Sequence, residues 1–415
     1  MFDTRLPSMA WRNLWRHRRR TLLTLSSIAF GTTLALLFTG IGDSNWAKMI
    51  DLAARLGGGH VTLQHAEYLE TPTLSRSVHD VERIRALALE DPDVVRAVPR
   101  ISGFLMLATA GQSYGAAFMA LDPALEDERS LSLLEALDEG RMFEDSRDPG
   151  IILGARLAEN LDVELGQKVV YTLTDKHGEI VRAAARVRGI VRTGTPTVDG
   201  GLCLLALDAL RETLGYGPQE AIQIGLFIGD QRRSDAVAAR LGARLSGDVV
   251  ALPWYENQPD LAAFIAMKVA GAQFMEGVIA LLVAAGIFNT LFVSVMERVR
   301  EFGIMLAIGF SPGRLFGLVM FESLWLGLVG LIAAGIFVAW PYWYLSTKGL
   351  DISAQLDMSN SEIAGIAVST VMHVALYPET VALIAAAAMT ATLLSGLYPA
   401  WKAGHIVPVE SIRLV

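Results

Sequence analysis

Four ionisable side chains crowd into five positions, Glu297, Arg298, Arg300 and Glu301, and Phe302, Gly303, Ile304, Met305 and Leu306 follow at once. Two acids and two arginines in that order suit docking rather than bond breaking. Glu297 and Glu301 stand at i, i+4 and share a helix face, while Phe302, Met305 and Leu306 give the same helix an apolar side. A short helix of that kind fits a groove on a partner protein better than it fits a bare connector. A second ionisable group, Glu322, lies about ten residues, or ~15 Å, along an apolar run. A carboxylate at that depth is costly, so it is expected to pair across a helix bundle rather than to carry a proton or a substrate.

Other candidates for chemistry fall away on spacing. His60 and His65 are five apart, which is not a helical metal pair, and structural or surface roles are expected for the histidines. No G-x-S-x-G, H-E-x-x-H or C-x-x-C occurs. Gly166-Gln167-Lys168 lacks the following Ser or Thr and the upstream glycine of a P-loop. Gly57-Gly58-Gly59 reads as a flexible turn rather than a phosphate cradle. The single cysteine, Cys203, has no partner for an intramolecular disulfide and reads as a small buried hydrophobe. The chain is thus expected not to be an enzyme, with no catalytic residue, no metal ligands and no cofactor of its own. A net charge of -8 argues against nucleic acid as a partner.

The elements that must position the charged stretch are membrane helices. The 415 residues are 52% hydrophobic and 19% charged, with a mean hydropathy of +0.40. That is too apolar for an ordinary soluble protein and too charged for a pure membrane bundle, so a few spans plus a soluble part are implied. Apolar runs long enough to cross a bilayer occur at 21–42, 277–296, 323–347 and 380–401. The first is read as an uncleaved anchor, being longer than a signal-peptide core and lacking a small-x-small cleavage site. Arg12, Arg16, Arg18, Arg19 and Arg20 precede it; Arg298, Arg300 and Arg314 follow the second run; Lys402 and Arg413 follow the last. Between the third and fourth runs Lys348 stands against Asp351, Asp357, Glu362 and Glu379. Both termini and the 297–314 stretch are therefore expected in the cytoplasm, with a large insert outside an inner membrane crossed four times.

The expected division is a cytoplasmic interfacial amphipathic helix (1–20), a first span (21–44), an extracytoplasmic domain (45–261) and a second span with an outer extension (262–296). The charged helix (297–310), a third span (311–340), an outer loop (341–378), a fourth span (379–401) and a cytoplasmic tail (402–415) complete it. Trp11, Leu14 and Trp15 at i, i+3, i+4 give the first helix its apolar face. Ser311-Pro312 is a good cap and first-turn pair for the third span. Gly313 with Gly317, and Gly327 with Gly330, suit close helix packing. Helical and strand-like stretches interleave in the insert without a fixed period, which predicts an α+β domain and no solenoid.

The segment "ERVREFGIMLAIGFSPGRLFGLVMFESLWLGLVG" resembles the membrane region of type VII ABC transporter permeases, the family of the lipoprotein-releasing LolC/LolE proteins, MacB and FtsX. The ending "LSGLYPAWKAGHIVPVESIR", with Tyr398-Pro399-Ala400 and Pro408-Val409-Glu410, is similar to that family's C-terminal pattern. So are "WRNLWRHRRRTLLTLSSIAFG" at the start and "LGARLAENLDVELGQKV" in the insert. The resemblance covers nearly the whole chain. It implies a permease that pairs with a second copy or a paralogue and works with a separate ABC ATPase subunit, which would hold ATP and Mg. Glu297, Arg298, Arg300, Glu301, Phe302, Gly303 and Ile304 would form the coupling helix against that ATPase. MacB carries its ATPase in the same chain; this sequence resembles the LolC/LolE pattern instead. The cargo would be a lipoprotein or another amphiphile taken from the outer leaflet, with membrane lipids and a periplasmic carrier or adaptor as further partners. Leu34, Leu37, Phe38, Ile41, Phe274, Val278 and Leu282 would line its apolar entrance. The alternatives are an FtsX-like device that signals to a cell-wall hydrolase and MacB-like mechanotransmission through a periplasmic adaptor.

Overall fold

The structure, a computed structural model, describes residues 6–351, 362–363, 366–367 and 371–406. Asp357, Arg413 and the Pro408-Val409-Glu410 motif lie outside the described residues. Along the chain run α1 (Leu6–Leu14), a 3-10 turn (Trp15–His17), α2 (Arg18–Leu56), β1 (Val61–His65), α3 (Val81–Leu89), β2 (Val94–Ala108), β3 (Ser113–Leu121), β4 (Leu137–Gly140) and β5 (Gly150–Gly154). Next come α4 (Ala155–Leu161), β6 (Lys168–Thr174), β7 (Ile180–Val191), α5 (Pro196–Gly201), β8 (Leu202–Ala206), α6 (Leu207–Leu214), β9 (Gln223–Ile228), α7 (Ser234–Gly242) and β10 (Val249–Pro253). The chain then follows α8 (Trp254–Asn257), α9 (Pro259–Glu297), α10 (Val299–Ala307), α11 (Pro312–Thr347) and α12 (Pro378–Gly404). It divides into a helical unit (Met1–Asn45, Ala266–Ile352, Val371–Val415) and an inserted unit (Trp46–Ile265, Ser353–Thr370).

By length and composition α2, α9, α11 and α12 are able to cross a membrane. α2 does not stop where its apolar run stops. It continues to Leu56 because Met49, Ile50, Ala53 and Ala54 keep a helical spacing of buried residues through the polar stretch. Ser311 is extended and Pro312 opens α11, as the Ser-Pro pair predicts. In the helical unit one core joins Leu6 and Ala10 of α1 to Phe302, Leu315, Leu318 and Ala400. A second joins Leu14, Leu25 and Ile28 to Ile287, Leu291 and Leu326. The buried stripe of α1 is Leu6, Ala10 and Leu14. Trp11 is instead half out, with its ring edge-on to Trp325 at 5.2 Å, and Trp325 Nε1 donates to the Pro7 carbonyl at 3.0 Å. The two glycine pairs diverge. A Cβ on Gly330 would meet Ile28 at 2.6 Å and one on Gly327 would meet Met389 at 2.8 Å, so both permit close contact. Gly313 faces open space and Gly317 has only Leu6 at 3.9 Å, so among the described residues of this chain the pair makes no close helix contact.

The inserted unit holds a ten-stranded mixed sheet in the order β10-β1-β9-β2-β3-β8-β5-β7-β4, with β6 pairing β2 and β7. The long strand β2 is shared: its first half pairs β9 and its second half pairs β3. β3–β8 and β5–β7 are parallel, and the helices α3, α4, α6 and α7 supply buried residues to the core over the sheet. Cys203 sits in that core at 1% exposure, where burial pushes its thiol up and away from reactivity. The Gly57-Gly58-Gly59 turn is packed, not flexible. Gly59 has φ +82, and a Cβ there would meet Leu226 backbone atoms at 2.6 Å.

α3 and α7 are pinned by charge. Arg240 Nε reaches Asp91 at 2.7 Å and its Nη2 reaches Asp93 at 2.8 Å. The Arg240 hydrogen bonds hold the Asp91 carboxyl below the usual carboxylate range, against the opposing effect of desolvation. A depressed folded pKa stabilises above the unfolded value of about 3.9 and is lost as pH falls through the folded one. Hydrogen exchange should therefore show α3 and α7 losing protection below about pH 4, and Asp91→Asn should flatten that acid limb. An unchanged limb in the variant would refute this role.

Candidate functional site

The charged stretch forms an elbow between α9 and α11. α9 ends at Glu297, where Arg298 leaves helical geometry (φ -103, ψ 12), and α10 begins at Val299. Past α10 the chain reverses at Gly309, whose φ is +100. The Phe310 N–H donates to the Met305 carbonyl at 2.9 Å and the Gly309 N–H to Leu306 at 3.1 Å. That pair of bonds is a Schellman motif, and only glycine takes its left-handed position without strain.

A chain of ion pairs clamps this elbow to its neighbours. Arg298 Nη1 lies 3.0 Å from Glu322 Oε1 on α11, and each side chain is 8% exposed. Asn13 Nδ2 donates to the same oxygen at 3.1 Å. Arg298 Nε reaches Glu301 at 3.2 Å, and Arg16 Nη1 reaches the other Glu301 oxygen at 3.0 Å. Arg20 holds Glu297 at 2.7 Å and donates to the Thr290 carbonyl at 2.6 Å. The Arg298 guanidinium also stacks over Phe302, 4.8 Å from the ring centre. Glu322 is therefore paired, with Arg298 and Asn13. Burial away from water strengthens the Arg298–Glu322 contact and makes either member costly to orphan, whereas the Arg16–Glu301 and Arg20–Glu297 pairs are exposed to water.

The structure splits the predicted contact surface. Arg298, Phe302 and Gly303 point inward and are buried, so they hold the elbow in place rather than offer a surface. Glu297, Arg300 and Ile304 face outward, and Glu301 is intermediate. Ile308, 75% exposed, and Arg314 extend the outward strip. Sequence reasoning missed Asn13, Arg16 and Arg20 as partners of the elbow. Their arginines look like a membrane boundary, and a pairing across 285 positions leaves no local mark.

The seven proposed entrance residues differ in exposure. Phe38, Phe274 and Leu282 are well exposed, Val278 is at the margin, and Leu34, Leu37 and Ile41 are half-buried. The cavity between α2, α9 and α12 lies on another face. It has a volume of about 110 Å³ and is lined by Gly31, Thr32, Ala35, Glu276, Val283 and Thr392. Thr39 Oγ1 donates to Glu276 there. Glu276 escapes notice in the sequence because it stands one position before the charge-free run 277–296. The inserted unit has its own cleft of about 690 Å³, with Leu56, Phe104, Ala116, Val198 and Leu261 on its walls.

Residues 21–244 match the family model of the MacB-like periplasmic core domain, and residues 274–408 match that of the FtsX-like permease C-terminal region. The chain is 25% identical over 367 residues to the lipoprotein-releasing system transmembrane protein LolC of Xylella fastidiosa, covering 85% of each chain. It is 24% identical over 411 residues to LolC of Neisseria meningitidis serogroup B, covering 95% of this chain and 94% of that one. It is also 20% identical over 427 residues to LolE of Haemophilus influenzae, with 97% of each covered. Among solved structures, the extracellular domain of the transporter YknZ from Gram-positive bacteria aligns with a TM-score of 0.33 at 12% identity, over 46% of this chain and 98% of that one.

Proposed function

We propose, from the premise that this chain belongs to the family with a MacB-like periplasmic core domain and an FtsX-like permease region, that its elbow is where a separate ABC ATPase subunit drives it. Membership makes the chain a multi-pass membrane permease of the type VII ABC transporter family. The finer reading is that ATP and Mg are held by the partner, that both termini and α10 lie in the cytoplasm, and that two permeases work as a pair. The cargo is a lipoprotein or another amphiphile lifted from the outer leaflet; the LolC and LolE relatives are named as transmembrane proteins of a lipoprotein-releasing system.

One observation carries this reading. The elbow is held on its inner side by the Arg298–Glu322 pair, yet it presents outward Glu297 at the end of α9, Arg300 and Ile304 on α10, and Ile308 just past it. A strip of mixed charge and aliphatic residues on a clamped helix is a docking ridge that passes on a push without yielding. Purification from native membranes in mild detergent tests it, comparing wild type with Arg300→Glu/Ile304→Asp. The expected result is a P-loop ATPase retained by wild type and reduced roughly 30-fold or more in the variant, as for a lost hot spot of about 2 kcal/mol. Equal retention by both would sink the docking assignment, and the proteins co-eluting with wild type report the cargo.

A further inference from the structure

We propose that the groove between the first turns of α2 and the last turns of α9 binds the phosphate-bearing headgroup of an anionic phospholipid. The groove has a volume of about 760 Å³ and is lined by Arg16, Arg18, Arg19 and Arg20, with Leu23, Val293 and the acid Glu297 among its other walls. Two of the four arginines are committed: Arg16 pairs Glu301 at 3.0 Å and Arg20 pairs Glu297 at 2.7 Å. Arg18 and Arg19 are exposed, and among the described residues no ion pair engages either of them. The groove therefore carries two uncompensated guanidinium groups. Their positive charges favour a headgroup whose phosphate is not compensated by an ammonium group of its own, as in an anionic rather than a zwitterionic phospholipid.

The second half of the recognition is apolar. Leu23 is 70% exposed and Val293 40%, and both stand on helices long and apolar enough to cross a membrane. A charged lip over an aliphatic wall fits a ligand with a phosphate above acyl chains. A free nucleotide or an acidic peptide would leave that wall wet. Basic pockets between spans at the arginine-rich side are the expected seats of acidic headgroups. Two arginines of this same groove also hold the acids of the elbow, so a bound headgroup would sit beside the clamp and shield its charges.

Native mass spectrometry of the full chain, purified in mild detergent and offered equal phosphatidylglycerol and phosphatidylethanolamine, tests the site. Wild type should retain phosphatidylglycerol preferentially, R18Q/R19Q should weaken that retention roughly 10- to 30-fold, and R18K/R19K should keep most of it. Unchanged selectivity in R18Q/R19Q, or no preference in wild type, overturns the proposal. Inorganic phosphate that displaces the lipid from wild type at millimolar concentration would show a phosphate site in which the aliphatic wall plays no part, and would overturn the lipid assignment. An independent measurement needs no variant. Retention by wild type should fall as salt is raised, because exposed guanidinium–phosphate contacts are screened; salt-insensitive retention overturns it.

Discussion

Arg298→Ala is expected to destabilise the helical unit by about 3–5 kcal/mol, the cost of leaving one member of a buried ion pair without its partner. The pair qualifies because Arg298 and Glu322 are each 8% exposed and 3.0 Å apart. Removal of the arginine strands the Glu322 carboxylate with only the Asn13 amide, and takes away the Nε contact that orients Glu301. It also removes the cation that covers Phe302, a side chain with 0% exposure at the centre of the first helical core. The partner of this experiment is Arg298→Met/Glu322→Leu. With both charges gone the desolvation penalty goes too, and stability should return close to that of wild type. The elbow would then be held by packing and by the more exposed Arg16–Glu301 and Arg20–Glu297 pairs, without its buried strut, so ATPase retention should fall while the thermal midpoint recovers. Thermal unfolding in detergent and co-purification read the two effects separately. An Arg298→Ala protein with an unchanged midpoint would mean that the ion pair does not hold the elbow.

The second large effect is expected in the inserted unit, at Arg100. Its side chain is fully buried against Glu126, at 0% and 2% exposure, through a two-pronged contact at 2.8 and 2.9 Å. The same guanidinium donates to the Ser130 carbonyl at 2.7 Å, to the Arg55 carbonyl at 3.3 Å and to the Gly57 carbonyl. The last two are at the end of α2, where a helix leaves carbonyls unpaired and its dipole favours a cation. Arg100→Met should therefore cost about 3–5 kcal/mol, from the stranded glutamate and the freed carbonyls together. Arg100→Met/Glu126→Leu should recover most of that stability, because no buried charge remains. It should not restore the grip on Arg55 and Gly57, so proteolysis at the 57–59 turn should stay faster than in wild type. Equal protection of the turn in the double variant would mean that packing, not Arg100, holds the end of α2.

Part of this architecture is legible in the order of residues alone. The four spans follow from length and apolarity, which are properties of contiguous residues. The elbow's borders follow from Gly309 and Ser311-Pro312, where one residue type meets one backbone geometry. The strands β1, β2, β3, β5, β6 and β7 follow from local pattern and turn residues. β8 and β9 escape such a reading: "LCLLA" and "QIGLFI" are nearly all buried and have no alternation for a period to show. The inserted unit also takes its first helix from α2, which runs on past the apolar boundary on a spacing that hydropathy does not register.

The chain's order of residues thus settles which segments are long and apolar enough to cross a membrane, where it turns, and that a charged helix lies between two such segments. These depend on neighbours a few positions apart. It does not settle which face of that helix is free. Arg298 is a buried strut and Arg300 is exposed because Glu322, 24 positions on from Arg298, meets the first and not the second. Arg16 and Arg20 join the elbow because α1 and α2 pack against it. Pairings between distant residues exist only once helices have chosen their partners, and that choice belongs to the packed core as a whole.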